Sequence, residues 1–557
     1  MSKTNTRSEL SQDLFFLPLG GAGEIGMNLN LYSYQDHWLM VDLGVTFGKD
    51  LGIEIMMPDP SYIVERRDRL KGLVITHAHE DHIGAIPYLW EKLQCPIYAT
   101  PFTATLIRDK LKKVGLAQKA KVHEIDLGGK VSLDPFEVQF LSLTHSIPEP
   151  NALAIRTPSG IVVHTGDWKI DPNPLIGEKV DENVLKALGD EGVLALVCDS
   201  TNVFVEENAG SESTVREKLI EFVSRPHFGR VIIACFASNV ARLESCALAA
   251  QQAGRKAILM GRSMIRMDQA ARDNGYLKNI PAFLTDEDAG RVKREETVII
   301  CTGSQGEPRA ALARLASGDH PHLKLSAGDT VLFSSRMIPG NEDAIRDMQE
   351  ELIEAGLNVV GAEDIEGIHV SGHPGRPDLK KMYEWIRPQI LIPVHGETMH
   401  MREQARLGHE CGIPHAIVPF NGSLIKLSKE EPEIVDTMPN GRLALDGTKV
   451  VPLFSNQMRD RARLMTSGVI FVSLSYDMKR GHLRGTPVVT QVGVFEPDIV
   501  DEMIENLQDV VTEALTNTLR EIQFTEIAVK EVISIACRRY VNSVRGKKPM
   551  VVVHFIS

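Results

Sequence analysis

The sequence predicts an α/β protein of several domains, and three patterns carry that reading. In the first 200 residues, short apolar segments each stop abruptly on a polar residue. From about residue 229 the chain alternates strand and helix with near regularity. After a stretch rich in charge and turn residues, a compact unit of strands and two long helices follows.

In chain order, residues 14–47 hold the short strands LFFLPLG, MNLNLYSY and HWLMVDLG. GLVITH (72–77), VQFLSLTH (138–145), IVVHTGD (161–167) and LALVCDS (195–200) come next, with helical patterns at 81–93 and 102–114. RVIIACF, KAILMG, TVIICTG, DTVLFSS and LNVVGAE then alternate with helices at 239–253, 263–275, 308–317 and 341–355, a parallel α/β layer. A further strand, QILIPVHG, spans 389–396. Residues 426–457, with KEEPE, MPNG and LDG, read as a linker. Strands GVIFVSLSYD, PVVTQVGVFE and PMVVVHFI, with helices near 497–518 and 525–544, form a small α+β domain.

At 557 residues the chain exceeds what one hydrophobic core serves. It is 43% apolar and 24% charged, an ordinary globular balance. No apolar run approaches the roughly 20 residues of a bilayer span, and the N-terminal MSKTNTRSELSQD has no signal-like apolar stretch. Seven cysteines, scattered and never C-x-x-C, argue against a disulfide framework and a cysteine zinc site. A cytoplasmic setting is expected. The formal charge of −13 counts against a broad phosphate-binding surface but not against a local cleft.

The strongest motif is T-H-A-H-E-D-H at 76–82. In an extended chain His77 and His79 point to one side, and Asp81 and His82, opening the next helix, can turn back toward the same cavity. Imidazole and carboxylate groups in this pattern suit two Zn²⁺ ions. Incidental histidines in a polar loop would rarely cluster so densely behind an apolar strand. The cluster cannot complete two coordination spheres, so further ligands must come from other strand ends. His145, Asp167 and His395 each end an apolar strand, where ligands collect in α/β sheets. Asp167 is the natural bridging carboxylate. His164 alternates to the opposite face, and His123, His227, His320 and His322 lack such context; these are structural or solvent-exposed.

Gly21-x-Gly23-x-x-Gly26, with Asp42 downstream, imitates a dinucleotide fingerprint. That fingerprint needs a helix after the glycines. MNLNLYSY alternates like a strand, so the glycines instead form a tight loop near the metal site, with Asp42 supporting the ligands.

The constellation resembles the metallo-β-lactamase fold. Asp199 in CDSTN, His373 in HVSGHP and His395 in PVHGE are similar to the markers of its β-CASP nuclease branch. SNVARLES, CTGSQGEP, SSRMIPGNE, HVSGH and the C-terminal unit resemble bacterial ribonuclease J nearly end to end. The resemblance implies a metallo-β-lactamase αββα sandwich with an inserted parallel α/β (β-CASP) domain and a small C-terminal α+β domain. The boundaries are 1–208 and 361–425 for the sandwich, 209–360 for the insert, 426–457 for the linker and 458–557 for the C-terminal domain. Two departures stand out: Pro374 follows the motif histidine, and Ala241 stands where the family often has a histidine.

The resemblance further implies 5′→3′ exonuclease activity with endonuclease activity, on single-stranded RNA bearing a 5′-monophosphate, in mRNA decay and rRNA maturation. Two Zn²⁺ per subunit are expected, with Mn²⁺ or Mg²⁺ as substitutes. His77, His79 and His145 would hold one, Asp81, His82 and His395 the other, and Asp167 both. Asp199, His373 and His395 join Asp81 as catalytic candidates, although Asp199 also suits a helix N-cap. Ser238, Asn239, Val240, His369, Val370, Ser371, Gly372 and His373 are candidates for the terminal-phosphate pocket, where small donors and backbone N–H groups cradle an anion. A structural Ca²⁺ at the Leu51 and Ile53 carbonyls and Asp446 is a further expectation. So are a homodimer or homotetramer, RNA-decay or ribosome-associated partners, and no membrane. The competing readings are a DNA nuclease of the same branch, a non-catalytic scaffold in an RNA-decay complex, and a small-molecule hydrolase. The intact ligand set disfavours the scaffold, and the long insertion disfavours a small substrate.

Overall fold

The computed structural model describes residues 12–48, 51–338, 340–477, 482–521 and 525–556. The chain divides into two units, Met1–Thr46 with Met56–Gly441, and Phe47–Ile55 with Arg442–Ser557.

Two β-sheets form the base of the first unit. One has eight strands: Glu433–Thr437, Ser423–Leu427, Leu14–Gly20, Leu29–Tyr34, His37–Val41, Leu70–Val74, Ile97–Ala99 and Val122–Glu124, in that spatial order. The other has seven: Lys130–Leu133, Phe136–Ser142, Asn151–Thr157, Gly160–His164, Val193–Asp199, Ile390–Val394 and His415–Ala416. Leu14, Phe16, Leu39 and Val74 from the first sheet share one buried cluster with Val138, Phe140, Val197 and Ile392 from the second. The second sheet's outer face buries Leu196 and Leu391 against Leu185, Met382 and Leu407 of three helices. Because Val193–Asp199 is covered on both faces, all seven of its residues are buried, which explains its unbroken apolar run.

Between Asp199 and Ile390 the chain leaves to build a separate layer. Five parallel strands lie in the order Lys256–Met260, Thr297–Cys301, Val231–Ala234, Thr330–Phe333 and Asn358–Val360. Helices Glu212–Val223 and Val240–Gln252 cover one face, and Ala311–Ala316 and Glu342–Glu354 the other. The three central strands are therefore buried along their whole length, as parallel sheets require, and the edge strand Asn358–Val360 is not. The chain then returns, and Ile390–Val394 pairs in parallel with Val193–Asp199.

In the second unit, Val469–Asp477 lies between Val488–Val492 and Met550–Ile556. Helices Val500–Glu521 and Glu526–Arg545 bury Leu507, Val511, Ile533 and Cys537 against Ile470, Val472 and Val553. The expected linker at 426–457 carries strands instead. Glu433–Thr437 extends the eight-stranded sheet, and Arg442–Asp446 forms a hairpin with Lys449–Pro452. Its charges line exposed strand edges, so a composition typical of loops coexists with ladder pairing. Among the described residues no helix is long and apolar enough to cross a membrane.

Candidate metal centre

The strand Leu70–Val74 runs on through Thr76 to His77, and His79 stands at the N-cap of the short helix Glu80–Ile83. His77 and His79 do share a side: Nε2 of one lies 3.0 Å from Nδ1 of the other. Neighbouring backbone holds the turn that carries Asp81 and His82, with Asn28 N–H donating to the Asp81 carbonyl and Leu43 N–H to that of His82. A Cβ on Gly44 would sit 1.6 Å from the Asp81 carbonyl oxygen, so only glycine lets this loop approach. Gly21, Gly23 and Gly26 have φ of 85°, 83° and 90°, and no helix follows them. They form a tight loop, as the sequence implied, and His395 N–H donates to the Gly21 carbonyl.

The remaining groups arrive from strand ends. His145 follows Phe136–Ser142, and its Nε2 lies 3.0 Å from His79 Nδ1. Asp167 follows a turn at Gly166 beyond Gly160–His164. Its Oδ2 lies 3.8 Å from His77 Nε2, 3.3 Å from His82 Nε2 and 3.9 Å from His145 Nε2, and its Oδ1 is 3.5 Å from His395 Nδ1. His395 ends Ile390–Val394 with φ of 53°, a left-handed conformation that costs a non-glycine residue energy and persists where structure enforces it. Its Nε2 lies 3.0 Å from Asp81 Oδ2.

Outward contacts set the tautomers. His82 Nδ1 bonds Asp42 at 2.7 Å, His145 Nδ1 donates to the Gly372 carbonyl, and His79 Nε2 bonds Ser238 Oγ at 3.0 Å. Asp42 also accepts from the Thr76 N–H and hydroxyl, and the Thr76 oxygen faces His77 Nδ1. With the Nδ1 protons of His77 and His145 turned outward, their Nε2 lone pairs converge on His79 Nδ1, each at 3.0 Å. Burial keeps all three neutral, His77 and His145 well below the usual histidine range and His79 at about 4. Burial also pushes His395 down, but Asp167, Asp199 and Asp81 override it and raise the group to about 10. Asp167 Oδ1, fully buried, has no hydrogen-bond partner among the described residues. Converging lone pairs and an unpartnered carboxylate oxygen are what a cation would satisfy, so the residues fit a divalent metal.

Among the described residues, three sets of ligand atoms lie within 4.8 Å of one another: His77, His79, His145 and Asp167; Asp81, His82, Asp167 and His395; and Asp167, Asp199, His373 and His395. The first two have the membership the sequence suggested. In the third, Asp199 bonds His373 Nδ1 at 2.8 Å through one oxygen and accepts from the Thr201 N–H and hydroxyl through the other. Asp199 thus caps its own turn and orients His373 at once.

The proposed pocket residues occupy two loops. Ser238 reaches His79, while Asn239 caps Val240–Gln252 and bonds Glu212, and the Val240 side chain is buried. Ser371 Oγ accepts from Asn202 Nδ2 and from His373 N–H. A Cβ on Gly372 would meet the His145 ring at 2.8 Å, and Val370 packs over Gly210. His369 Nδ1 has no partner among the described residues. A cavity of about 500 Å³ adjoins His145, lined also by Ser142, Lys179, Ala241 and Tyr276. Leu51 and Ile53 lie in the second unit, where the Asp446 carboxylate pairs with Arg461 at 2.7 Å and accepts from Gln457.

Asn28, Thr76 and Thr201 were not singled out in the sequence. Asn28 bonds both His82 Nε2 and the Asp81 carbonyl, and Thr201 bonds His395. Their signal was weak: a polar residue entering an apolar strand, or flanking a motif. His164, set aside, bonds Tyr32 at 2.8 Å inside the sandwich, and His123 stacks on Tyr98.

Comparison with known proteins matches four segments of the chain. Residues 28–180 match the metallo-beta-lactamase superfamily, and 358–419 match a Zn-dependent metallo-hydrolase RNA specificity domain. Residues 228–352 match the Ribonuclease J beta-CASP domain and 456–557 the Ribonuclease J C-terminal domain. Ribonuclease J of Sinorhizobium meliloti is 43% identical over 99% of both chains. The chain belongs to the ribonuclease J family. Other members include Ribonuclease J 1 of Streptococcus pyogenes, 36% identical over 96% of both chains. Ribonuclease J of Thermus thermophilus is 32% identical over 96% of this chain and 94% of its own. Among solved structures, a protein of unknown function from Enterococcus faecalis V583 shares the fold. Its TM-score is 0.51 at 16% identity, over 74% of this chain and 100% of its own. The five-stranded parallel layer is the β-CASP insert, and the paired sheets are the metallo-β-lactamase domain that family membership requires.

Proposed function

We propose that this protein is a two-zinc ribonuclease that degrades single-stranded RNA 5′→3′ from a 5′-monophosphate and also cleaves internally. The carrying observation is the pair of overlapping His/Asp sets that share Asp167, with His373 of the HVSGH loop in a third set joined through Asp167 and His395. His77, His79 and His145 would hold one ion, Asp81, His82 and His395 the other, and Asp167 both. Bound there, zinc supplies Lewis acidity toward a phosphoryl oxygen and a nucleophile usable at neutral pH.

The chain's own groups do the rest. Burial lowers His373, but the Asp199 carboxylate at 2.8 Å more than offsets it and raises the imidazole above the ordinary histidine value. With Nδ1 tied to Asp199, Nε2 is the atom that would donate to the leaving 3′-oxygen. Ser371, the 369–373 backbone and Ser238 would hold the terminal phosphate through neutral donors, which suits a chain of net charge −13.

The test uses 5′-labelled RNA with monophosphate, triphosphate or hydroxyl ends, a matched DNA strand, and wild type beside Asp81→Ala. Labelled mononucleotide should appear from the monophosphate RNA alone, and Asp81→Ala should lose at least ~100-fold in rate, the scale of losing a group that stabilises transition-state charge. Equal cleavage by the variant would overturn the metal assignment. Preference for DNA would overturn the substrate.

A further inference from the structure

Beside the metal centre lies a polar network that the reaction chemistry does not use. Arg242, in the first turn of Val240–Gln252, is 1% exposed and surrounded by the insert's apolar core. Its Nε and Nη2 donate to the two oxygens of Glu212 at 3.0 and 2.9 Å, a bidentate fork. Its Nη1 donates to the Ser334 carbonyl and hydroxyl oxygens, both at 2.7 Å. The Ser334 hydroxyl in turn donates to the Ile368 carbonyl at 2.8 Å.

Each contact ends on a segment that borders the cleft. Glu212 also accepts from Asn239 Nδ2, and Asn239 Oδ1 accepts from the Arg242 N–H, so the turn holding Ser238 is gripped from two sides. Ile368 precedes His369. On the other flank, Glu212 N–H donates to Asp171, whose own N–H donates to the Thr144 hydroxyl, one residue before His145. One unbroken chain of hydrogen bonds thus joins the strand end bearing His145, the Ser238–Asn239 turn and the start of the HVSGH loop.

Stability does not account for this arrangement. A buried ion pair costs so much desolvation that apolar residues of similar volume usually replace it at no loss. Four donated bonds to two partners on separate elements are instead what fixing a relative geometry requires.

We propose that Arg242 and Glu212 are positioning residues that hold the Ser238–Asn239 turn and the 369–373 loop in register across the cleft, and thereby set recognition of the RNA 5′ end. This rests on the ribonuclease reading above. Neither residue is assigned a contact with RNA or metal. Lysine cannot form the fork, so Arg242→Lys should behave like Arg242→Met.

The experiment compares wild type, Arg242→Lys, Arg242→Met and the double variant Arg242→Met/Glu212→Leu as full-length zinc-loaded proteins. Substrates are RNA with a 5′-monophosphate, the same RNA with a 5′-hydroxyl, and bis(p-nitrophenyl) phosphate. The expected result is a rise of at least tenfold in KM for the monophosphate RNA and loss of discrimination between the two 5′ ends. Turnover of the small diester should stay within twofold. The apolar double variant should unfold near the wild-type temperature yet show the same loss of discrimination. Retained discrimination in the folded double variant overturns the proposal, as does a parallel fall on all three substrates. A wild type that hydrolyses the diester but no RNA would overturn the functional reading instead.

Discussion

At the residue scale, the groups that orient the ligands matter nearly as much as the ligands. Asp42 is fully buried, sits at φ of 61°, and receives His82 and both Thr76 donors. Removing one such support typically costs 10–100-fold in metal affinity. Asp42→Asn is therefore expected to weaken zinc binding by roughly 10–100-fold while leaving every direct ligand in place, as competition with a chromogenic chelator would measure. Glu212 gives a pH prediction. Burial favours its protonated form, but Arg242 and Asn239 hold it at about 2, below its ordinary 4.5. A carboxylate whose folded pKa is depressed contributes stability above its unfolded value and loses it as pH falls through the folded one. The gap in denaturant midpoint between wild type and Glu212→Gln should be full at pH 7 and close between pH 4.5 and 2. A constant gap would mean that the charge contributes nothing.

At the scale of elements, the ligand-bearing strands were legible because two-sided burial forces an apolar run to end where the site begins. GLVITH, LALVCDS and QILIPVHG all show that break. The loops were less legible. Nothing local in the sequence says that Gly44 passes against the backbone of Asp81, 37 positions on, since close approach is a tertiary fact. Gly44→Ala should accordingly cost about 3 kcal/mol or more, the upper range for overpacking, and reduce bound zinc by elemental analysis. A folded, fully loaded Gly44→Ala would show the approach to be slack. The stretch 426–457 was misjudged for a related reason: charge and turn residues mark both linkers and exposed strand pairs, and only the partner strand distinguishes them. The roles of Asn28 and Thr201 were invisible on the same ground, because their partners are 54 and 194 positions away.

At the scale of the whole molecule, the His/Asp sets found among the described residues all lie in Met1–Thr46 and Met56–Gly441. A ligand that binds only folded protein stabilises what holds it, by about 4 kcal/mol at 1,000 times Kd. Stripping metal from the purified protein should thus lower the unfolding temperature of the unit holding the centre and raise hydrogen exchange at 75–83 and 393–397. Exchange in the Val500–Glu521 and Glu526–Arg545 helices should not change. Equal deprotection of both units would refute this division.

The return of the chain after its insertion has a consequence for synthesis on the ribosome. Val193–Asp199 lacks one neighbour until Ile390–Val394 is made, and Leu14–Gly20 lacks one until Ser423–Leu427 is made. His395, 314 positions beyond Asp81, is the last residue of the His/Asp sets to emerge. At ribosomal speeds that interval is on the order of ten seconds or more. Through that time the nascent polypeptide exposes two open sheet edges and an incomplete second ligand set. Until the insertion has been translated and the return strand has docked, the second His/Asp set lacks His395 and is incomplete.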